Sequence, residues 1–302
     1  VSRTRLAMGT FVSITAIHSS KEQAEEATGR AFEEVASLSA SLTRYQDTTA
    51  VGMLNREGFI KDIPPELAQV IDRAVEFHRL TEGAFDVSVK PVVDLYQECF
   101  SAADKREPSE QQLNRALELV GFDKIRIHDR SIRFAKPGMG ITLDGIAKGY
   151  IVDRASDVLR KHGVENFLIN AGGDIRTMGH RRDRKPWAVA IQDPWKREQY
   201  PDVVHMANGA IATSGNYEVY FDREKVFHHI IDPAKGLSPR RSASVSVRTD
   251  TAMDADALST AVFVLEPVKG VRFINAFSGA ECYVIDREKR TFRSAGWNEK
   301  AA

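Results

Sequence analysis

The chain is poor in cysteine: Cys99 and Cys282 are the only two in 302 residues. Two thiols cannot build a four-cysteine zinc site, and they leave either buried thiols or one disulfide. No apolar run approaches the roughly 20 residues that span a bilayer. Basic charge is not in excess, since 42 Lys and Arg stand against 42 Asp and Glu. A surface dedicated to phosphate backbones or anionic lipid is therefore excluded, because such binding rests on a surplus of cations. Repeats, low-complexity tracts and linker-like stretches are missing too, with 20 Gly and 11 Pro scattered along the chain. The chain starts at Val1, with no charged-then-apolar leader before Arg3. The expectation is a processed, exported protein or a trimmed chain.

What is present is an ordinary globular composition, 42% hydrophobic and 28% charged, long enough for a core that needs neither disulfide nor metal. Apolar and polar residues alternate from Phe11 to His18, which predicts a strand. After Ser20 the stripe Ala24, Ala27, Ala31, Val35, Leu38, Leu42 predicts an amphipathic helix to about Tyr45. A second helix is predicted from Pro64-Pro65, carrying Leu67, Val70, Ile71, Ala74 and Val75 inward. A third begins at Ser109, whose Gln112 makes a capping box, and runs to Gly121.

From Lys124 onward a hairpin around Asp129-Arg130 is expected, then a helix from Ile146 to His162 and a strand from Phe167 to Asn170. Further strands are expected at 187–191, 211–214, 227–231, 242–247 and 281–285, with a helix over about 254–265 between the last two. The fold class is α+β with a mainly antiparallel sheet and packed helices. The strand-helix alternation of a doubly wound nucleotide fold is missing. The expected organisation is one domain over 1–302, helix-rich over 1–122 and sheet-rich over 123–302.

Several short patterns bear chemistry. In a helix, Asp256 and Thr260 lie one turn apart, so a carboxylate and a hydroxyl converge, hard oxygen donors that suit magnesium. The bland alternative is a capping cluster around Asp254. Asp144-Gly145-Ile146-Ala147-Lys148-Gly149-Tyr150 sets exposed N–H groups and an ammonium at a strand-to-helix turn, the means to hold a diphosphate. It is not a Walker A pattern, and taken alone a tight turn with a surface lysine explains it better. Ala171-Gly172-Gly173-Asp174 permits close approach of a ligand or merely a turn. In a strand, His228 and His229 would point to opposite faces, so at most one serves a given site. Ser214 lacks a G-x-S-x-G elbow, which argues against a Ser/His/Asp hydrolase.

Seven blocks in order, Met8-Gly9-Thr10 through Tyr45, Thr81 to Asp86, Asp144 to Tyr150, Asn170 to Asp174, Thr213 to Tyr217, His228 to Gly236 and Asp254 to Ala261, together resemble the ApbE family of flavin transferases. The likeness extends most closely to the branch linked to maturation of nitrous oxide reductase. It implies an ApbE-like, T-fold-like architecture and Mg2+-dependent transfer of FMN from FAD to a threonine hydroxyl of an acceptor flavoprotein, with release of AMP. It further implies a periplasmic place in maturing a membrane-linked redox protein.

By the same resemblance Met8, Tyr45, Ala84, Phe85, Asp86, Lys148 and Ile230 match positions that contact FAD. The carbonyl of Gly145, the carboxylate of Asp256 and oxygens of Ser259 and Thr260 match magnesium ligands, and His229 matches a base acting on the threonine. One departure stands out: the family pattern has an acid where this chain has Thr142, two positions before Asp144. Either Asp144 substitutes for it or Thr142 binds FAD by its hydroxyl. An FAD pyrophosphatase giving FMN and AMP, or a flavin-binding protein without turnover, shares the same motifs.

Overall fold

In the computed structural model of the chain, residues 1–102, 106–195, 200–217, 220–222 and 227–298 are described. The chain opens with a hairpin, β1 (Ser2–Ala7) and β2 (Thr10–Ile17). It continues through four helices and one very short strand: α1 (Lys21–Leu42), α2 (Ala50–Glu57), β3 (Phe59–Ile60), α3 (Pro65–Leu80) and α4 (Lys90–Ser101). Then come α5 (Glu110–Leu117), β4 (Ile125–His128), β5 (Ser131–Phe134), α6 (Ala147–Lys161), β6 (Asn166–Ala171) and β7 (Asp174–Met178). The remainder holds β8 (Trp187–Ala190), β9 (Val203–Met206), β10 (Gly209–Gly215), β11 (Ser242–Thr249), α7 (Ala252–Leu265), α8 (Pro267–Asn275), β12 (Glu281–Asp286) and β13 (Thr291–Arg293).

Eight strands form one sheet in the order β1-β2-β6-β7-β10-β11-β12-β13, and every neighbouring pair is antiparallel. The fold class is thus the expected mixture of helix and antiparallel sheet. Helix α7 packs on β10 and β11, α6 lies against α7, and α1 lies against α6. Within α7 apolar side chains face all round, and Leu258, Ala261, Val262 and Phe263 are fully buried, as a helix at the centre of a core must be. Each large apolar side chain so buried contributes about 1.5–3 kcal/mol. One continuous core cluster joins residues of α1 and α3 to β11, α7 and β12.

Local signals explain the helix starts. Ser20 caps α1 by accepting from Gln23 N at 3.2 Å, Pro65 opens α3, and Ser109 with Gln112 makes the full capping box of α5. Two expectations need correction. Helix α5 stops at Leu117, where Glu118 to Val120 turn back and Lys124 Nζ donates to the Glu118 carbonyl at 3.1 Å. Residues 227–231 are not a strand. Among the described residues its backbone pairing is the isolated bridge Tyr220 to His228 with the Phe221 N–H on the Phe227 carbonyl at 2.8 Å, while its side chains are anchored on two different clusters. Cys99 and Cys282 are both buried and free.

Candidate active site

The first wall is made of turns. Met8-Gly9 is a two-residue hairpin loop with φ of 53° and 71°, left-handed values that favour Asn-Gly and penalise a long side chain. Next to it, Gly172 has φ 62°, and a Cβ there would strike the Thr10 side chain. Gly173 N donates to Asn170 Oδ1 at 3.0 Å, which closes the turn between β6 and β7.

The second wall is the crossing of α6 and α7. A Cβ on Gly149 would run into the Ala252 carbonyl, so glycine is what lets the two helices touch backbone to backbone. Asp256 Oδ2 accepts from Gly149 N at 3.1 Å. From α6, Asp153 accepts from Ala252 N and Met253 N, both at 2.9 Å, and so caps α7 beside its own N-cap Thr251. Burial pushes the Asp153 carboxyl up to about 6, against the pull of those two N–H groups and of Arg176.

Hydroxyls line the floor. Ser259 Oγ donates to the Asp256 carbonyl at 2.9 Å and lies 2.8 Å from Ser214 Oγ, which is 3.4 Å from Thr260 Oγ1. Thr213 and Ser246 pair their hydroxyls at 2.8 Å. A Cβ on Gly145 would sit 2.9 Å from Thr260 Oγ1 and 3.4 Å from the Phe85 ring. The early glycine turn and the late acidic helix therefore share one cradle, kept open by the missing side chain.

Charge concentrates at this cradle. Lys148 Nζ is 3.0 Å from Asp174 Oδ2, a buried oxygen with no aligned hydrogen bond. Burial raises the Asp174 carboxyl, while Lys148 opposes the rise. Asp256 is pushed well above the usual carboxylate range, first by burial and then by Asp174. Lys148 and the Gly149 N–H hold it back, and Asp144 adds to the rise. Asp144 itself is exposed. Its carboxylate lies 3.6 Å from Arg44 Nε, and Arg44 also donates to Asp94 at 3.0 Å and to the Tyr45 hydroxyl at 3.2 Å.

The histidines arrive on another segment. His228 is buried, its ring set edge-on to Phe263 of α7 with centroids 5.4 Å apart. Its pKa falls to about 4, chiefly through burial, so the ring is neutral and Nε2–H donates to the Pro239 carbonyl at 3.2 Å. His229 is half-buried between two fully packed neighbours, His228 and Ile230. The segment continues into a turn in which Asp232 holds Ala234 N at 3.0 Å and Lys235 Nζ at 2.6 Å. The Tyr96 hydroxyl donates to the Gly236 carbonyl at 3.0 Å.

The structure thus brings together Gly145, Lys148, Phe85, Asp256, Ser259 and Thr260, with Asp144, Arg44 and Tyr45 joined at the rim. Lys148 is half-buried and ion-paired, which corrects the surface-lysine alternative. Thr251 is the N-cap of α7 and accepts from Asp254 N at 3.2 Å, so Asp254 does lie in a capped first turn, as the capping alternative had it.

Other expected residues have structural partners of their own. Asp86 caps a short 3-10 turn by accepting from Ser88 N at 2.7 Å and also accepts from Phe122 N at 3.2 Å. Thr142 Oγ1 accepts from Asp144 N at 3.3 Å. Ile230 is part of the main core, which Ala84 and Met8 border. Sequence reasoning gave no role to Asp174, Asp153 or Ser214. Asp174 was visible only as the end of the Ala171-Gly172-Gly173-Asp174 turn, and nothing local signalled Asp153, whose partners lie 99 and 100 residues on.

A hard divalent cation fits these donors. The cradle offers carboxylate, hydroxyl and carbonyl oxygens, a gap where a Cβ would be, and two buried carboxylates, Asp174 and Asp256, sharing one ammonium. Among the described residues no group of three or more His, Cys, Asp or Glu is arranged to hold a metal alone. Such a set suits magnesium, which takes few protein ligands and fills its shell with water and phosphate.

Fold and site define an α+β protein with a glycine-opened, oxygen-lined cradle beside the buried Asp174–Lys148 pair. The ApbE protein of Thermotoga maritima superposes with a TM-score of 0.90 at 28% identity, over 100% of this chain and 99% of that one. Among sequences, the FAD:protein FMN transferase of Haemophilus influenzae is 32% identical over 76% of this chain and 69% of its own length. That of Vibrio cholerae is 34% identical over 68% of this chain and 63% of its own length. The ApbE family model matches residues 8–284, and the chain belongs to the ApbE family.

Proposed function

We propose that the chain is a FAD:protein FMN transferase that moves FMN from FAD to a threonine hydroxyl of an acceptor flavoprotein and releases AMP, with Mg2+ held by Asp256, Thr260, Ser259 and the Gly145 carbonyl. The observation that carries this reading is the shared cradle of Gly145 and Thr260 beside the buried Asp256, Asp174 and Lys148. When bound there, magnesium supplies neutralisation of the phosphate charge and polarisation of the departing AMP oxygen. Lys148 lies within the same cluster, ready to pair with a pyrophosphate oxygen. Phe85, Tyr45 and Met8 supply apolar and aromatic surface of the kind a flavin ring stacks on.

His229 accepts the threonine proton as its oxygen attacks phosphorus. One P–O bond forms, the anhydride P–O bond breaks, and AMP leaves with the electron pair. Such base assistance contributes about 10²- to 10⁴-fold. Work outside the cytoplasm, in maturing a membrane-linked redox protein, belongs to the same proposal. Among the described residues no helix is long and apolar enough to cross a membrane.

Incubation with FAD, Mg2+ and an acceptor domain bearing an Asp-x-x-Ser/Thr-Gly-Ala-Thr-like segment is expected to yield AMP and a covalently fluorescent acceptor. Free FMN with no labelled acceptor would make the chain a pyrophosphatase, and intact bound FAD would make it a carrier. Fractionation of the producing cells tests the compartment: the protein is expected outside the cytoplasm, and recovery in the cytoplasmic fraction alone would overturn that part of the proposal.

A further inference from the structure

We infer that Ser238 and His228 form a clasp that fixes the backbone bearing His229, so that both are positioning residues for the transfer reaction. The inference rests on the proposed role of His229. Ser238 Oγ accepts from His228 N at 3.0 Å and donates to His228 O at 2.8 Å, so one hydroxyl grips both backbone polar groups of the residue before His229. The His228 ring completes the hold, with Nε2–H on the Pro239 carbonyl and its edge on Phe263, three residues beyond Thr260 on the helix that carries the oxygen ligands.

Among the described residues the segment's backbone pairing is one isolated bridge, Tyr220 to His228, with the Phe221 N–H on the Phe227 carbonyl at 2.8 Å, so beyond Phe227 its geometry leans on these side-chain contacts. Along 227–231, Phe227, His228, Ile230 and Ile231 are all buried, and His229 alone is left partly open. Phe227 and Ile231 sink into an aromatic cluster with Tyr96, Ile230 into the main core and His228 onto α7. With every flanking side chain held, the clasp sets the height and direction of the imidazole. A placement error of about 1 Å in a catalytic group costs on the order of 100-fold.

The test compares Ser238→Ala, Ser238→Thr, His228→Phe, His229→Ala and the double variant Ser238→Ala/His229→Ala in FMN transfer, FAD binding and thermal melting. Ser238→Ala and His228→Phe are expected to lower kcat by about 10- to 100-fold with the KM for FAD nearly unchanged, and Ser238→Ala also melts earlier because it strands two buried backbone groups. Ser238→Thr, which keeps the hydroxyl, restores kcat. Because the clasp acts through His229, the double variant is expected to be no slower than His229→Ala alone. Full kcat in both Ser238→Ala and His228→Phe, with His229→Ala inactive, overturns the clasp while sparing the base. Additive losses in the double variant overturn it as well. An active His229→Ala sinks the base assignment and the clasp together.

Discussion

The two sides of the candidate site are built in opposite ways. The oxygen-bearing side stands on regular elements: α6 and α7 meet backbone to backbone at Gly149, Asp153 ties one helix to the first amides of the other, and β10 supplies hydroxyls from below. The histidine side stands on irregular chain, held by an aromatic cluster, an Asp232 turn and single hydroxyls. Where ladder and helix bonds fix the backbone, single side-chain losses are absorbed. Where side chains replace them, each bond removed shifts the chain it held.

Four substitutions break or sharpen this contrast. Gly149→Val drives a branched side chain into the Ala252 carbonyl and is expected to cost about 3 kcal/mol or to prevent folding, read by urea titration. Asp153→Asn tests the helix tie through pH. The folded carboxyl sits at about 6, above its unfolded value of 3.8, so its protonated form favours the fold. Its contribution is complete below about pH 4 and disappears as pH rises through 6. Wild type is therefore expected to lose about 2–3 kcal/mol relative to the variant over that window. Equal slopes for the two proteins in parallel unfolding titrations would refute the assignment.

On the histidine side, Tyr96→Phe removes the bond to the Gly236 carbonyl and is expected to cost about 1 kcal/mol of stability. It should disturb transfer more than an equally destabilising change in α1, as steady-state rates would show. Smallest and opposite in sign, Met8→Gly relieves a left-handed backbone and is expected to stabilise by about 1 kcal/mol. FAD binding followed by flavin fluorescence should weaken at the same time. A variant that gains stability and keeps its affinity would remove Met8 from the binding surface.

Much of the regular scaffold was legible in the sequence because its signals are local. Ser20, Pro65 and the Ser109–Gln112 box start helices with their own side chains, and the stripe from Ala24 to Leu42 predicts the buried face of α1. Helix α2 was missed because Gly52 interrupts an eight-residue segment; its Cβ position is filled by the Gln46 carbonyl. β7 was missed because it follows directly on two turn glycines. The supposed strand at 227–231 shows the converse error. A run of buried apolar residues looks like a strand, yet here burial is shared between two clusters with no ladder. In the site, the spacing of Asp256 and Thr260 and the pattern around Lys148 were readable. The partners that give them meaning, Asp174, Asp153 and Gly145 against Thr260, lie far apart in the chain and are joined only by folding.

The hydroxyls of Ser214, Ser259 and Thr260, and of Thr213 and Ser246, meet as pairs in which either oxygen can donate. Each O–H is a rotor with acceptor lone pairs to spare. The floor of the cradle can therefore reverse its polarity by turning hydrogens alone, with no heavy atom displaced.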